Sequence, residues 1–197
     1  MRKLLAAISL AAVLALGAIT AQADHSWNGY HWKSTSLSPT VQDNTSSALY
    51  DVPVGVTEWA TLGASIQPVL TDGKGKVKVT EEFNPFWYGL ARIFIDDAGH
   101  ITKAEVKLNT VLLEPLGLAA ADHVLCQELG HILGLDHNRV DANTCMNDTA
   151  AIGSATTPNA HDADQLRAIY NHTDPTGGGR RGNQRAGWVT VDVVPVP

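Results

Sequence analysis

Basic residues are in short supply: 14 Lys and Arg stand against 20 Asp and Glu, a formal net charge of −6. A phosphate-binding surface needs the opposite sign, so nucleic acid is not an expected partner, and acidity of this size mostly serves solubility. Apolar runs of any length are absent beyond Ile19, which leaves no later stretch able to cross a bilayer. Neither an internal repeat nor a low-complexity tract occurs between Asp24 and Thr173. Cysteine is limited to Cys126 and Cys145, and methionine beyond the initiator to Met146. So few thiols leave three roles for the pair: a disulfide, two buried thiols, or a nucleophile beside a base. His123 lies three residues before Cys126, but no further triad pattern accompanies it.

Apolar residues concentrate at the N-terminus. Arg2 and Lys3 precede an uncharged run from Leu4 to Ile19, and Ala21, Gln22 and Ala23 follow it. A basic start, a short apolar core and a small-x-small ending form a cleavable secretory signal. Residues 1–23 therefore read as a leader, and the protein as exported, starting at Asp24, with no stable membrane anchor after cleavage. The remaining 174 residues, with 12 basic and 20 acidic side chains and a net charge of about −8, suit one compact domain and are short of two. In an exported chain the default for Cys126 and Cys145 is a disulfide.

Val52, Val56 and Trp59 fall at helical spacing behind Asp51 as a cap, with Pro53 in the first turn. Residues 66–70 and 76–80 flank a Thr-Asp-Gly-Lys-Gly turn and read as a hairpin or strand pair. Residues 90–95 and 101–109 likewise flank Asp96, Asp97, Ala98, Gly99 and His100. A long helical stretch over residues 118–133 follows, and the whole suggests an α+β domain over residues 24–173. From residue 174 the composition changes: Pro175, Gly177, Gly178, Gly179, Arg180, Arg181 and Gly182 make a flexible linker. Residues 188–194 alternate enough to add an edge strand or to hang as a loose tail, and residues 174–197 carry no functional residue in this reading.

The chemistry concentrates between Asp122 and His137. On a helix, positions 127 and 131 are four apart and project side by side, so ligands there can grip one metal ion. Glu128 sits beside that face, where a carboxylate can hold an attacking water. Gly134 can end the helix in a left-handed turn and let His137 swing back.

The stretch from Gln127 to His137 resembles the zinc signature of the metzincin peptidases: His, Glu, two residues, His, two residues, Gly, two residues, His. Glu128, His131, Gly134 and His137 match, and Gln127 stands where the first histidine is expected. The surrounding Gly130, Leu133, Leu135 and Asp136 look most like the matrixin branch. Met146, nine residues past His137, lies where the family's methionine turn is expected, and Pro158, Asn159, His161, Asp162, Leu166, Ile169 and Tyr170 look like its C-terminal helix. The likeness covers residues 118–172. It implies an α+β metzincin-like domain with a twisted mixed sheet packed on the active-site helix, and a secreted, monomeric zinc (Zn2+) endopeptidase acting on protein or peptide substrates. Glu128 is then the general base, with Cys126 and Cys145 bonding the helix to the methionine turn.

Gln127 modifies that expectation. A carboxamide oxygen is a weaker zinc donor than imidazole nitrogen, so zinc affinity should fall. His123 cannot replace it, lying eight residues and about 12 Å along the helix from His131. His100, His161 and His172 remain open as substitutes. We take zinc as held by His131 and His137 with Gln127 third. The alternative is a peptidase-like binding module, catalytically weakened or inactive.

Overall fold

Strict alternation of buried and half-buried residues makes the sheet. In β5 (Trp87–Ile95), Trp87, Gly89, Ala91, Ile93 and Ile95 turn inward, and in β6 (His100–Leu108) Ala104, Val106 and Leu108 do the same. These belong to a computed structural model that describes residues 24–174 and 185–195. The expected leader, residues 1–23, and the linker glycines lie outside the described residues.

In chain order the earlier elements are β1 (His31–Trp32), β2 (Thr40–Asp43), α1 (Val52–Thr61), β3 (Val69–Leu70) and β4 (Val77–Glu81). After β6 come α2 (Thr110–Leu113), a 3-10 turn at Glu114–Leu116, α3 (Leu118–Ile132), α4 (Ala160–Tyr170) and β7 (Gly187–Pro195). The strands form one mixed sheet in the order β3-β2-β4-β6-β5-β7, and β1 pairs with the first residues of β6. The protein is thus a mixed α+β domain. Its core fills the space between the sheet and helices α1 and α3, with Trp32, Trp59, Ile93, Leu125, Leu129 and Ile132 buried.

α1 starts where the sequence places it: the Asp51 carboxylate accepts the Val54 N–H at 3.0 Å, and Pro53 occupies the first turn. α3 covers the expected stretch up to Ile132, with Leu133 as its C-cap. The expected pairing of residues 66–70 with 76–80 is corrected. β3 and β4 both run parallel to β2, on its two sides, and not to each other. Fully buried Val41 makes β2 the central partner, a choice the intervening turn could not determine.

Side chains from other elements hold α3, at its terminal carbonyls and at one within the helix. Trp32 Nε1 donates to Ile132 O at 2.9 Å, the Tyr170 hydroxyl to Leu133 O at 2.7 Å, and Trp59 Nε1 to Cys126 O at 3.0 Å. Cys126 of α3 is disulfide-bonded to Cys145. Asn159 and Asp162 form a reciprocal cap on α4, and Thr144 donates to Asp162 Oδ2 at 2.5 Å, tying the 144–147 segment to that helix.

Closing a loop with a sequence separation of 19 should contribute about 3 kcal/mol on the chain-entropy estimate. Urea unfolding with and without reductant is expected to show a loss of that order. An unchanged unfolding midpoint would place the stabilisation elsewhere.

Candidate metal centre

From Ala120 to Ile132 every residue of α3 but Asp122 is buried. Burying polar groups costs solvation that only partners can return, so His123, Gln127, Glu128 and His131 each need an account. His123 Nδ1 contacts the Ala155 carbonyl at 2.6 Å, and burial lowers its pKa against that bond. Gln127, 1 % exposed, lines a cavity of about 560 Å³ with His123, His137, Asn147 and Val194, and its Nε2 finds no partner among the described residues. Neither carboxyl oxygen of Glu128 receives a hydrogen bond from them either. Glu128 packs beneath β5 where Gly89 leaves room: a Cβ on Gly89 would lie 2.5 Å from Glu128 Oε1. Burial first, and the Asp192 charge second, raise the Glu128 pKa well above the ordinary carboxylate value.

His131 places Nδ1 2.9 Å from the Leu135 carbonyl. Trp27 Nε1 lies 3.2 Å from the same nitrogen, but only a protonated Nδ1 can serve the shorter Leu135 contact. That tautomer leaves the Nε2 lone pair facing inward.

Gly134 then reverses the chain. Its φ of +107° is open to glycine but strained for other residues, and an added Cβ would lie 2.8 Å from Tyr30 O. The N-terminal segment braces the turn: Trp27 N–H donates to Gly134 O at 3.2 Å and Asp136 N–H to His25 O at 2.9 Å. His137 thereby returns to His131, their Nε2 atoms 3.1 Å apart. Its Nδ1 lies 3.0 Å from Asp148, a carboxylate shared with Arg139. The intervening loop is closed by Asn138 N–H to Met146 O at 2.8 Å and by Asn147 Nδ2 to Asn138 O at 2.7 Å. Met146 is fully buried beneath α3, where a Cβ on Gly130 would meet its Sδ at 2.3 Å.

The third side chain converging on the two imidazoles is Asp192 of β7. Its Oδ2 lies 3.3 Å from His131 Nε2 and its Oδ1 3.2 Å from His137 Nε2. β7 runs antiparallel along β5, Asp192 opposite Ala91 and Thr190 opposite Arg92, so Val191 is an extra residue in the ladder. Such a bulge re-aims side chains. Val191 and Asp192 are accordingly both buried, although consecutive strand residues ordinarily face opposite sides. Burial pushes the Asp192 carboxyl up, but His131 and His137 outweigh it and hold it well below the usual range. Burial lowers the His137 pKa, and Asp192 and then Asp148 reverse this to a net rise.

Two imidazole nitrogens 3.1 Å apart, each with one Asp192 carboxylate oxygen at 3.2–3.3 Å, make a nitrogen and oxygen donor set that zinc accepts, so these residues fit it. The sequence reading picked out His131 and His137 and missed Asp192. The available signal was a single acid inside the otherwise apolar run Val189 to Val194. Among the open substitutes, His161 lies beside Asp24 and His25, and His100 and His172 beside Asp174.

No protein-family model and no curated protein matches the chain. Among solved structures it is similar to myroilysin, with 11 % identity, TM-score 0.47, and coverage of 76 % of this chain and 98 % of that one. It is also similar to High choriolytic enzyme 1, a hatching enzyme zinc-protease from Oryzias latipes (medaka fish), with 11 % identity, TM-score 0.39, and coverage of 73 % and 95 %. Likeness at this level carries no residue-by-residue correspondence.

His131→Ala should remove zinc from this centre. Asp192→Asn should weaken zinc binding by more than the roughly 10–100-fold typical of an outer-shell change, and Gln127→Ala by less. Calorimetric titration of the full chain measures both, and equal losses would mean that Asp192 is not the third donor.

Proposed function

We propose that the protein is an exported zinc endopeptidase of the metzincin type, in the matrixin-like branch, held latent by its own C-terminal strand. Convergence of His131, His137 and Asp192 beside the buried, unpartnered Glu128 is the observation that carries this reading. Zinc bound there supplies a Lewis acid for the scissile carbonyl and makes water a better nucleophile. Glu128, as the carboxylate, takes the proton of the attacking water and returns it to the leaving amine. Residues 1–23 act as the cleaved leader, which agrees with a disulfide-bonded chain in which no helix of the described residues is long and apolar enough to cross a membrane.

Latency follows from where β7 lies. An extended peptide is commonly bound by pairing with a sheet edge. β7 takes the edge of β5 beside the metal donors, and Asp192 brings a carboxylate where a substrate would bring its carbonyl. The second reading, a binding module without turnover, draws on Gln127 standing where the signature has its first histidine.

At saturating zinc, Asp192→Ala should cleave an unfolded protein substrate at least about tenfold faster than the natural chain, and adding Glu128→Gln should abolish this. Cleavage that survives Glu128→Gln would point to other chemistry. Absence of cleavage by Asp192→Ala, alone or with Gln127→His restoring a three-histidine set, would leave the binding module.

A further inference from the structure

A second set of metal-type donors is drawn from β1, the start of β6 and the residues after α4. His31 Nε2 and His172 Nε2 are 3.0 Å apart, and both approach Asp174 Oδ1, at 3.1 and 3.2 Å. The three atoms form a nearly equilateral triangle, and their residues share none with the His131, His137, Asp192 centre.

The outer atoms decide what the inner ones can do. His31 Nδ1 lies 2.8 Å from the Gly29 carbonyl, which fixes its proton there and leaves a lone pair on Nε2. That lone pair points at the Asp174 carboxylate, an acceptor facing an acceptor inside the protein: His31 is 3 % exposed. Asp174 is fixed as well, because Ser34 N–H donates to its Oδ2 at 2.7 Å and so turns Oδ1 toward the imidazoles. His100 Nε2 lies 3.1 Å from the same oxygen while its Nδ1 lies 3.3 Å from Asp96 Oδ2, so His100 bridges two carboxylates and braces Asp174 from the side. Repulsion between the His31 lone pair and the Asp174 oxygen is relieved by a cation between them, and His172 adds the third donor.

We propose that His31, His172 and Asp174 bind a second divalent transition-metal ion of the zinc class, with His100 as a positioning residue. Two imidazoles and one monodentate carboxylate suit zinc and poorly suit calcium or magnesium, which take oxygen ligands. The ion joins β1 to the segment leaving α4, two parts of the chain that are otherwise far apart in sequence, and so acts as a structural clip. Half-exposed His172 leaves one coordination position on the solvent side.

The test is zinc stoichiometry of the full folded chain after dialysis, with the metal alone as probe. About two ions per chain are expected for the natural protein, and about one after either His172→Ala or His131→Ala, with none after both. His172 is the more informative substitution because it is exposed and the fold is not built on it. In the His131→Ala background, zinc should still raise Tm by several degrees, and His172→Ala should abolish that rise. Zinc content and Tm response unchanged by both His172→Ala and Asp174→Asn would overturn the clip. A natural chain holding one ion that His131→Ala removes would overturn it too. One ion lost with His172→Ala but retained by His131→Ala would support the clip and refute the proposed catalytic centre.

Discussion

The arrangement depends on the desolvation of α3. This helix is core on nearly every side, yet it carries His123, Gln127, Glu128 and His131 among its buried residues. An unpartnered polar group in such a place costs several kcal/mol if nothing meets it. The protein answers with neighbours from elsewhere: the Ala155 carbonyl for His123, the Leu135 carbonyl for one nitrogen of His131, and His137 and Asp192 for the other. Among the described residues neither Gln127 Nε2 nor the Glu128 carboxyl receives such an answer, and burial raises the Glu128 pKa in consequence. A group left in that condition is poised to exchange a proton, which is why structural expense and proposed chemistry meet at the same residue.

Support for the donors is layered. Each imidazole that faces the centre is oriented through its outer nitrogen, His131 by Leu135 and His137 by Asp148. Asp148 is in turn shared with Arg139, and the loop that brings it there is closed by Asn138, Asn147 and Met146. The N-terminal residues 25–27 press the Gly134 turn into place, so the chain's first described segment helps position His137, more than a hundred residues later. The His31, His172, Asp174 cluster repeats the pattern, with Gly29 and Ser34 as its orienting partners.

Much of this was legible in local spacing. The Asp51 cap and Pro53 announce α1, the apolar period announces α3, and an i, i+4 interval with a following glycine brings the region of His131 and His137 together. Cys126 and Cys145 bond as their number and the leader expected from the sequence suggested. The strands were less legible. A Gly-rich turn between two β-prone runs is compatible with a hairpin or with two strands that share a third partner, and β2 takes that third place. The C-terminal stretch was readable equally as an edge strand or a loose tail, and not as a contributor to the site.

By itself the sequence determined what a single helix and its terminal turn can hold: Glu128 and His131 on one side of α3, and His137 returned by Gly134. Those placements follow from helical periodicity and from the φ that only glycine adopts freely, both local properties. Tertiary structure alone decided the third member of the cluster. Asp192 reaches the histidines because β7 pairs with β5 in one register and because a bulge at Val191 turns the next side chain inward. Strand register is set by the sum of many weak cross-strand contacts, and a shift of one residue would send the same carboxylate to solvent. No spacing within the chain encodes that choice, so the residue that completes the centre could be seen only after the sheet had been assembled.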